Sequence, residues 1–472
     1  LADLPERIIY KKNIFAKTKN VENMKTCKVM TILLLFFTLP LFGQVYSLKK
    51  CIDYAKQNNS NVKISYIDSD ISGKTVKDQI GKGLPQINIS GTLDDKLKIA
   101  TNLLPGELMG RPGEYIPVKF GTKYNVTGTI TLTQKIFDPS FWAGLKAAKL
   151  SETVSEQNIQ KTEEQMMYDV SAAYYRANIL QKQLINLKAI LAASERTLKS
   201  TELKFQNGLV KKIDVDKIKV GFNSTNSQVQ QMELSCNQAL NNLKFAMGMP
   251  VDSAIVLSEA LPDSTILFSQ FKQIGNPVEN RIEYKIQNTY ISLYETDKQN
   301  NIAAYLPTIS FYANYGYQAM RSEFNFFSSG NGKTWFNNSA IGLELKIPVF
   351  SGFSRLAKVE TSQLNIEKSK ENLKYTEQAI KVEVANNYMQ YRNALDNIET
   401  ERQNLSLAQS VYTNTQLEFA QGTGSSLDLV QTESSLRETQ NNYYNKLLTL
   451  YIAKLNLDKS QGMINQFINN LK

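Results

Sequence analysis

Apolar residues recur every seven positions from Val170 through Ala177, Leu184, Leu191 and Leu198 to Phe205. Ile159, Met166, Ala173, Leu180 and Leu187 interleave with them at 4/3 spacing. Neither proline nor glycine interrupts the run, so the pattern predicts coiled-coil-like helices. Adding 214 gives a second series, Val384, Tyr391, Ile398, Leu405, Tyr412 and Phe419. Its companion, Leu373, Ile380, Asn387, Ala394 and Glu401, fades. The expected helices, about 140–205 and 353–419, would each run roughly 100 Å at 1.5 Å per residue.

Ahead of each helix the period changes to two. Val126, Ile130 and Leu132 alternate with Thr127, Thr129, Thr131 and Thr133, and Ile87 and Ile89 with Gln86, Asn88 and Ser90. In the second half Ile341, Leu343, Leu345 and Ile347 alternate with Gly342, Glu344 and Lys346. Ile309, Phe311, Ala313, Tyr315 and Tyr317 form another alternating run. Each half therefore offers two antiparallel strands of about ten residues, long enough to span an outer membrane when tilted. Ile130, Leu132, Leu343 and Leu345 are expected to face lipid, and Thr131 and Glu344 a wet interior. A half-buried soluble sheet would alternate in the same way. The segments 94–123 and 321–338 read as loops between strands.

The order of landmarks reveals a tandem duplication. Leu84-Pro85 answers Leu306-Pro307, Ile136-Phe137 answers Val349-Phe350, and Gly248-Met249 answers Gly462-Met463. Phe205-Gln-Asn-Gly208 with Asp214 answers Phe419-Ala-Gln-Gly422 with Asp428. The expected first repeat is 45–250, with a β-hairpin at 84–137 and a helical hairpin at 139–248. After a junction at 251–280, the second is 281–465, with hairpins at 306–350 and 352–463.

Residues 24–44 place a basic segment before the apolar run Val29 to Gly43, the pattern of a secretory signal. That run is too short for a membrane-spanning helix. Residues 1–23 read as an upstream extension, so 1–44 is taken as a leader. It holds seven Lys/Arg against three Asp/Glu, and thus part of the +10 net charge. The remaining excess is spread without a basic run, which sets nucleic acid aside as a partner.

Among 472 residues there is no histidine. The usual general base and the commonest transition-metal ligand are both missing. Ser425-Ser426 near Asp428 therefore has no triad base, and no catalytic, cofactor or metal site is expected. Glu163-Glu164 reads as a solvated helix face. Gly422-Thr-Gly424 lacks the lysine of a phosphate loop. Three cysteines without paired spacing make no scaffold.

The two helix turns, 206–214 and 420–428, are the most distinctive loops. Gly208 and Gly422 suit the left-handed end of a long helix. Asp214 and Asp428 are expected to cap the returning helices.

The duplicated strand–strand–long helix–turn–helix unit, the Leu-Pro pairs and the F-x-x-G-x(5)-D turns together resemble the TolC family of outer-membrane efflux proteins. Leu48 to Asn59 and Asn280-Arg281-Ile-Glu283 resemble the opening helices of that family's two halves. The resemblance implies a homotrimer, with a twelve-stranded β-barrel continued by a twelve-helix α-barrel. It implies a passive exit duct for tripartite efflux or type I secretion. It also implies three partners: outer-membrane lipid, a periplasmic adaptor and an inner-membrane pump. On this resemblance Gly208, Leu209, Val210, Gly422 and Thr423 would meet the adaptor, while Asp428, Asp214 and Phe419 would form the periplasmic constriction. The chain departs from the family pattern at Gly424, where a basic residue is expected, and at Gln431, where an acid is. A periplasmic coiled-coil adaptor is the second reading and an extracellular coiled-coil adhesin the third. Neither accounts for two copies of ten-residue amphipathic strands.

Overall fold

The computed structural model describes residues 45–258, 277–328, 330 and 334–469. The expected leader, residues 259–276 of the junction, and positions 329 and 331–333 lie outside the described residues. Two units separate. One has Val45 and Ala254–Val256 as its described residues; the other, Tyr46–Ser253 with Leu257–Lys472, holds every element named below.

The first half runs α1 Leu48–Asn58, α2 Ser60–Gly81, β1 Gln86–Asp95, β2 Thr101–Pro105, β3 Tyr115–Lys119, β4 Tyr124–Phe137, α3 Pro139–Gln206 and α4 Lys212–Met247. The second runs α5 Pro277–Asn280, α6 Ile282–Ala303, β5 Thr308–Arg321, β6 Phe336–Lys346, α7 Ser354–Gln421, α8 Ser426–Ser460 and α9 Ile464–Asn469. The long helices α3 and α7 have 68 residues each. Asp138 starts α3 by accepting from the Ser140 and Phe141 amides, with Pro139 at the first helical position. Asn59 separates α1 from α2: its Oδ1 caps α2, and its Nδ2 donates to the Ala246 carbonyl of α4.

The strands form one antiparallel sheet in the order β1-β4-β5-β6. Ile87, Leu132, Ala313 and Ile341 lie side by side in one row, and Asn88, Thr131, Asn314 and Ala340 in the next. With side chains alternating along each strand, Ile130, Leu132, Leu343 and Leu345 share one face. Thr131 and Glu344 share the other. On the apolar face Ile341 is 79% exposed and Leu343 66%.

The segment 94–123 is not simply a loop. Within it β2 pairs with β3, Thr101 opposite Lys119, around a 3₁₀ turn at Gly106–Met109. Leu103, Leu104, Ile116 and Val118 supply the strand formers, and Gly106 lets the Arg111 carbonyl approach where a Cβ would collide.

The helices form two rows of four. Nearer the sheet α2 packs on α3, α3 on α6 and α6 on α7; toward the turns α4 packs on α3, α3 on α8 and α8 on α7. The core follows the α3–α8 seam, where Tyr175 stacks on Tyr451 with ring centroids 4.4 Å apart. Met167, Val170, Leu455 and Leu457 are buried beside them. Buried Arg281, at the start of α6, donates to Glu383 of α7 and to the Ser460 carbonyl of α8.

Among the described residues the sheet and the helix row nearer it are open at both ends, on β1 or α2 of the first repeat and on β6 or α7 of the second. Toward the turns α4, which packs on α3 and α8, and α7 keep uncovered faces. These edge helices carry exposed apolar side chains: Ile64, Ile67 and Ile71 on α2, Val220 and Leu234 on α4, Tyr375, Val382 and Met389 on α7. Among the described residues, no helix is long and apolar enough to cross a membrane.

Candidate functional site

Both long helices end in the same way because both must turn back at once. Gly208 has φ 69° and Gly422 φ 84°, values that L side chains adopt at a cost. At the first tip the Gly208 amide donates to the Phe205 carbonyl at 2.9 Å and the Leu209 amide to that of Lys204 at 2.8 Å. At the second the Gly422 amide donates to Phe419, and the Thr423 and Gly424 amides both donate to the Glu418 carbonyl. These Schellman-type bonds satisfy the last carbonyls of each helix. Around Gly208 and Gly422 there is open space where a side chain would begin. Leu209 is 73% exposed, whereas Val210 is half-buried.

Gly424 is different. A Cβ there would stand 2.8 Å from the Phe419 amide nitrogen, so the folded-back turn has no room for a larger residue. The cation absent from this position is excluded by the turn's own geometry.

The expected capping roles of Asp214 and Asp428 are corrected. Ser425 caps α8, its Oγ accepting the Leu427 amide at 3.1 Å, while α4 begins at Lys212 without a side-chain cap. Each aspartate is the third residue of its helix, where a negative charge still suits the exposed amides. Asp214 accepts a hydrogen bond from the buried Ser426 hydroxyl at 2.6 Å, across the two repeats. Asp428 is exposed. Lys204 adds a second link, donating to the Ala420 carbonyl at 3.0 Å with its ammonium 5.8 Å from the Phe419 ring centre. Phe419 itself packs against the cluster of Ile190, Ile218, Tyr412, Leu429 and Leu436. Of the three expected constriction residues, the fold places Phe419 in this seam and engages Asp214 with Ser426.

Behind the tips lies a polar node that the sequence reading missed. The Thr225 hydroxyl of α4 donates to Glu433 of α8, and Arg437 reaches both Glu433 and Thr225. Glu433 and Arg437 are buried. Burial pushes the Glu433 carboxyl above its ordinary value, against the opposing pull of Thr225, Arg437 and Ser194. Burial, with the Glu433 charge added, pushes Tyr412 up to about 12. One signal was available: Glu433 falls between Leu429 and Leu436 on the face that heptad spacing assigns to the core.

Glu164, read as part of a solvated face, is also corrected. It is buried, accepts from Gln160 at 2.9 Å, and is pushed upward by that burial, while Glu163 accepts from the Tyr66 hydroxyl. The packing of α2 and α6 on α3 covers the position. Among the described residues, no three His, Cys, Asp or Glu converge on a metal-sized site.

An amphipathic four-stranded sheet, helices of 68 residues and paired tight tips define a class: duplicated membrane-channel subunits that continue as long helices. The model of the outer membrane efflux protein family matches residues 54–249 and 293–463, and the chain belongs to that family. It is 21% identical to the proteases secretion protein PrtF of Dickeya chrysanthemi over 348 residues, 72% of this chain and 74% of that one. It is 19% identical to the outer membrane protein TolC of Salmonella enteritidis over 440 residues, 90% and 83% of the two chains. A solved structure of CusC, described in terms of folding and transmembrane channel formation, superposes with a TM-score of 0.69 at 16% identity, covering 89% and 93%. The protein is an outer-membrane efflux channel protein, which sets aside the adaptor and adhesin readings.

Proposed function

We propose that three copies close head to tail into one conduit, the strands in the outer membrane and the helices across the periplasm. One observation carries this: the sheet and the helix row nearer it are each open on a first-repeat element at one end and a second-repeat element at the other. Unpaired strand edges are not tolerated in lipid, and four strands cannot close alone. Two copies would give eight strands, a barrel filled by its own side chains; three give twelve and an open lumen. Ile130, Leu132, Leu343 and Leu345 then face lipid, and Thr131 and Glu344 face water.

The tips are the periplasmic end of this duct. Gly208, Leu209, Val210, Gly422 and Thr423 form the surface met by a periplasmic adaptor, since two bare glycine turns admit another helical hairpin close to the backbone. Asp428, with Asp214 and Phe419 behind it, forms the constriction. The conduit is passive, and an inner-membrane pump reached through the adaptor supplies the energy. Light scattering on the detergent-extracted particle and conductance in planar bilayers test the reading. A trimer with ion-conducting channels supports it; a monomer or a non-conducting particle overturns it.

A further inference from the structure

Where α2 and α6 both pack on α3, beside the end of α8, lies a cavity of about 570 Å³. That volume falls within the roughly 300–1,000 Å³ of small-molecule sites, but such sites are mostly apolar. This one is not: among its described lining residues Ile64 alone is apolar. Its charges balance, with Lys161, Arg281 and Lys459 set against Asp68, Glu164 and Glu283. An apolar compound would strip water from these groups and give nothing in return. A simple anion or cation would meet as many like charges as opposite ones.

The charges are not equally matched within the chain. Arg281 Nε donates to Glu283 at 2.9 Å, and a second of its nitrogens donates to Glu383, so this group is already paired. Glu164 is different. It is 8% exposed, and its one hydrogen bond among the described residues comes from the neutral Gln160 amide. Burial, with the Glu283 charge, keeps its carboxyl above the ordinary value against the pull of Gln160, Arg281 and Lys285. A buried carboxylate with no cation in contact is costly, and a ligand ammonium would supply one. One turn earlier on α3, Lys161 is exposed and makes no ion pair or hydrogen bond among the described residues. Lys459 is held in place, donating to Gln165 at 2.6 Å with its ammonium 4.6 Å from the Tyr168 ring centre.

We infer that the cavity binds a zwitterion of short-peptide size with both ends free, its ammonium at Glu164 and its carboxylate at the lysines of the rim. Its occupant bridges α2 of the first repeat to α6 and α8 of the second. The site lies within one chain, so it stands or falls apart from the ring proposed above.

Trialanine is a suitable probe, since its two ends carry opposite charges and its side chains add only methyl groups. Calorimetric titration of the detergent-extracted full chain should show saturable binding. N-acetyl-trialanine and trialanine amide, each lacking one charge, should bind at least about tenfold more weakly, the loss expected for a hydrogen bond to a charged group. Glu164→Gln keeps the shape of the side chain and should bring trialanine down to the affinity of its acetylated form. Lys161→Ala, at an exposed position, should bring it toward that of the amide. Heat-modifiable gel migration checks that each variant is folded. No saturable binding at millimolar trialanine overturns the site. So do blocked peptides that bind equally well, or a Glu164→Gln chain that binds trialanine unchanged. A channel that conducts in planar bilayers yet ignores trialanine overturns the site and leaves the proposed duct standing.

Discussion

The Thr225 hydroxyl donates to Glu433 Oε1 at 3.0 Å across the seam between the repeats, and Arg437 closes the same contact from one turn further along α8. Arg437→Ala would leave the Glu433 charge buried without its cation, at an expected cost of about 3–5 kcal/mol. Thr225→Val should cost about 1–3 kcal/mol by removing one donor. Urea unfolding followed by helical circular dichroism in detergent measures both; losses near zero would show that the seam does not depend on the node.

That node also gives stability a pH dependence of known sign. Burial raises the Glu433 carboxyl above its ordinary value of 4.5, so above that pH the folded state holds more proton than the unfolded chain. Stability from this residue is greatest at low pH and falls as pH rises through the raised folded value. Glu164, Asp169 and Asp458, also raised by burial, act in the same direction. Glu433→Gln should flatten the slope of unfolding midpoint against pH above 4.5, leaving the share of the other three acids. An unchanged slope would remove Glu433 from the account.

The two faces of the sheet should tolerate charge very differently. Leu343→Arg is expected to cost about 2–4 kcal/mol if the site lies near the membrane midplane, and Thr131→Arg almost nothing. Folding into lipid vesicles, read by heat-modifiable gel migration, compares them; equal losses would contradict the assigned faces.

At the tips, the open space around Gly208 separates assembly from docking. A Cβ at Gly208 meets nothing within 4 Å, and Gly208→Trp adds about 1–2 kcal/mol of left-handed backbone cost. It should abolish efflux while leaving trimer and membrane levels unchanged. Gly424→Arg must instead displace the Phe419 backbone and should lower thermal stability. Normal efflux by Gly208→Trp cells would remove the tip from the docking surface.

Topology can be checked on intact cells. Biotin or protease should reach 94–123, and should reach 206–214 only after the outer membrane is permeabilised. The reverse pattern would invert the proposed orientation.

How much of this was legible in the sequence depends on the distance over which each interaction acts. Val170 to Phe205 and their partners 214 residues on disclose the long helices, because heptad spacing is a local record of a continuous seam. Strand alternation from Thr127 to Thr133 is equally local. The cross-repeat contacts were not legible, since Ser426–Asp214 and Thr225–Glu433 join residues more than two hundred positions apart with no periodic trace. Capping failed for a different reason. Ser425 and Asp428 are both good N-terminal residues within three positions, and only the path of the chain decides which amide each meets. Gly424 looked like a missing cation, whereas its role is the close approach of the turn to Phe419.

The duplication itself bears on how such a duct could evolve. A hexamer of single repeats would be bound to sixfold symmetry, every mutation appearing at every seam. Once two repeats share a chain, the positions occupied by Lys219 and Asn223 in one can become Glu433 and Arg437 in the other. Fusion thus frees alternate seams to evolve separately, and the buried contact of Thr225, Glu433 and Arg437 is one such departure.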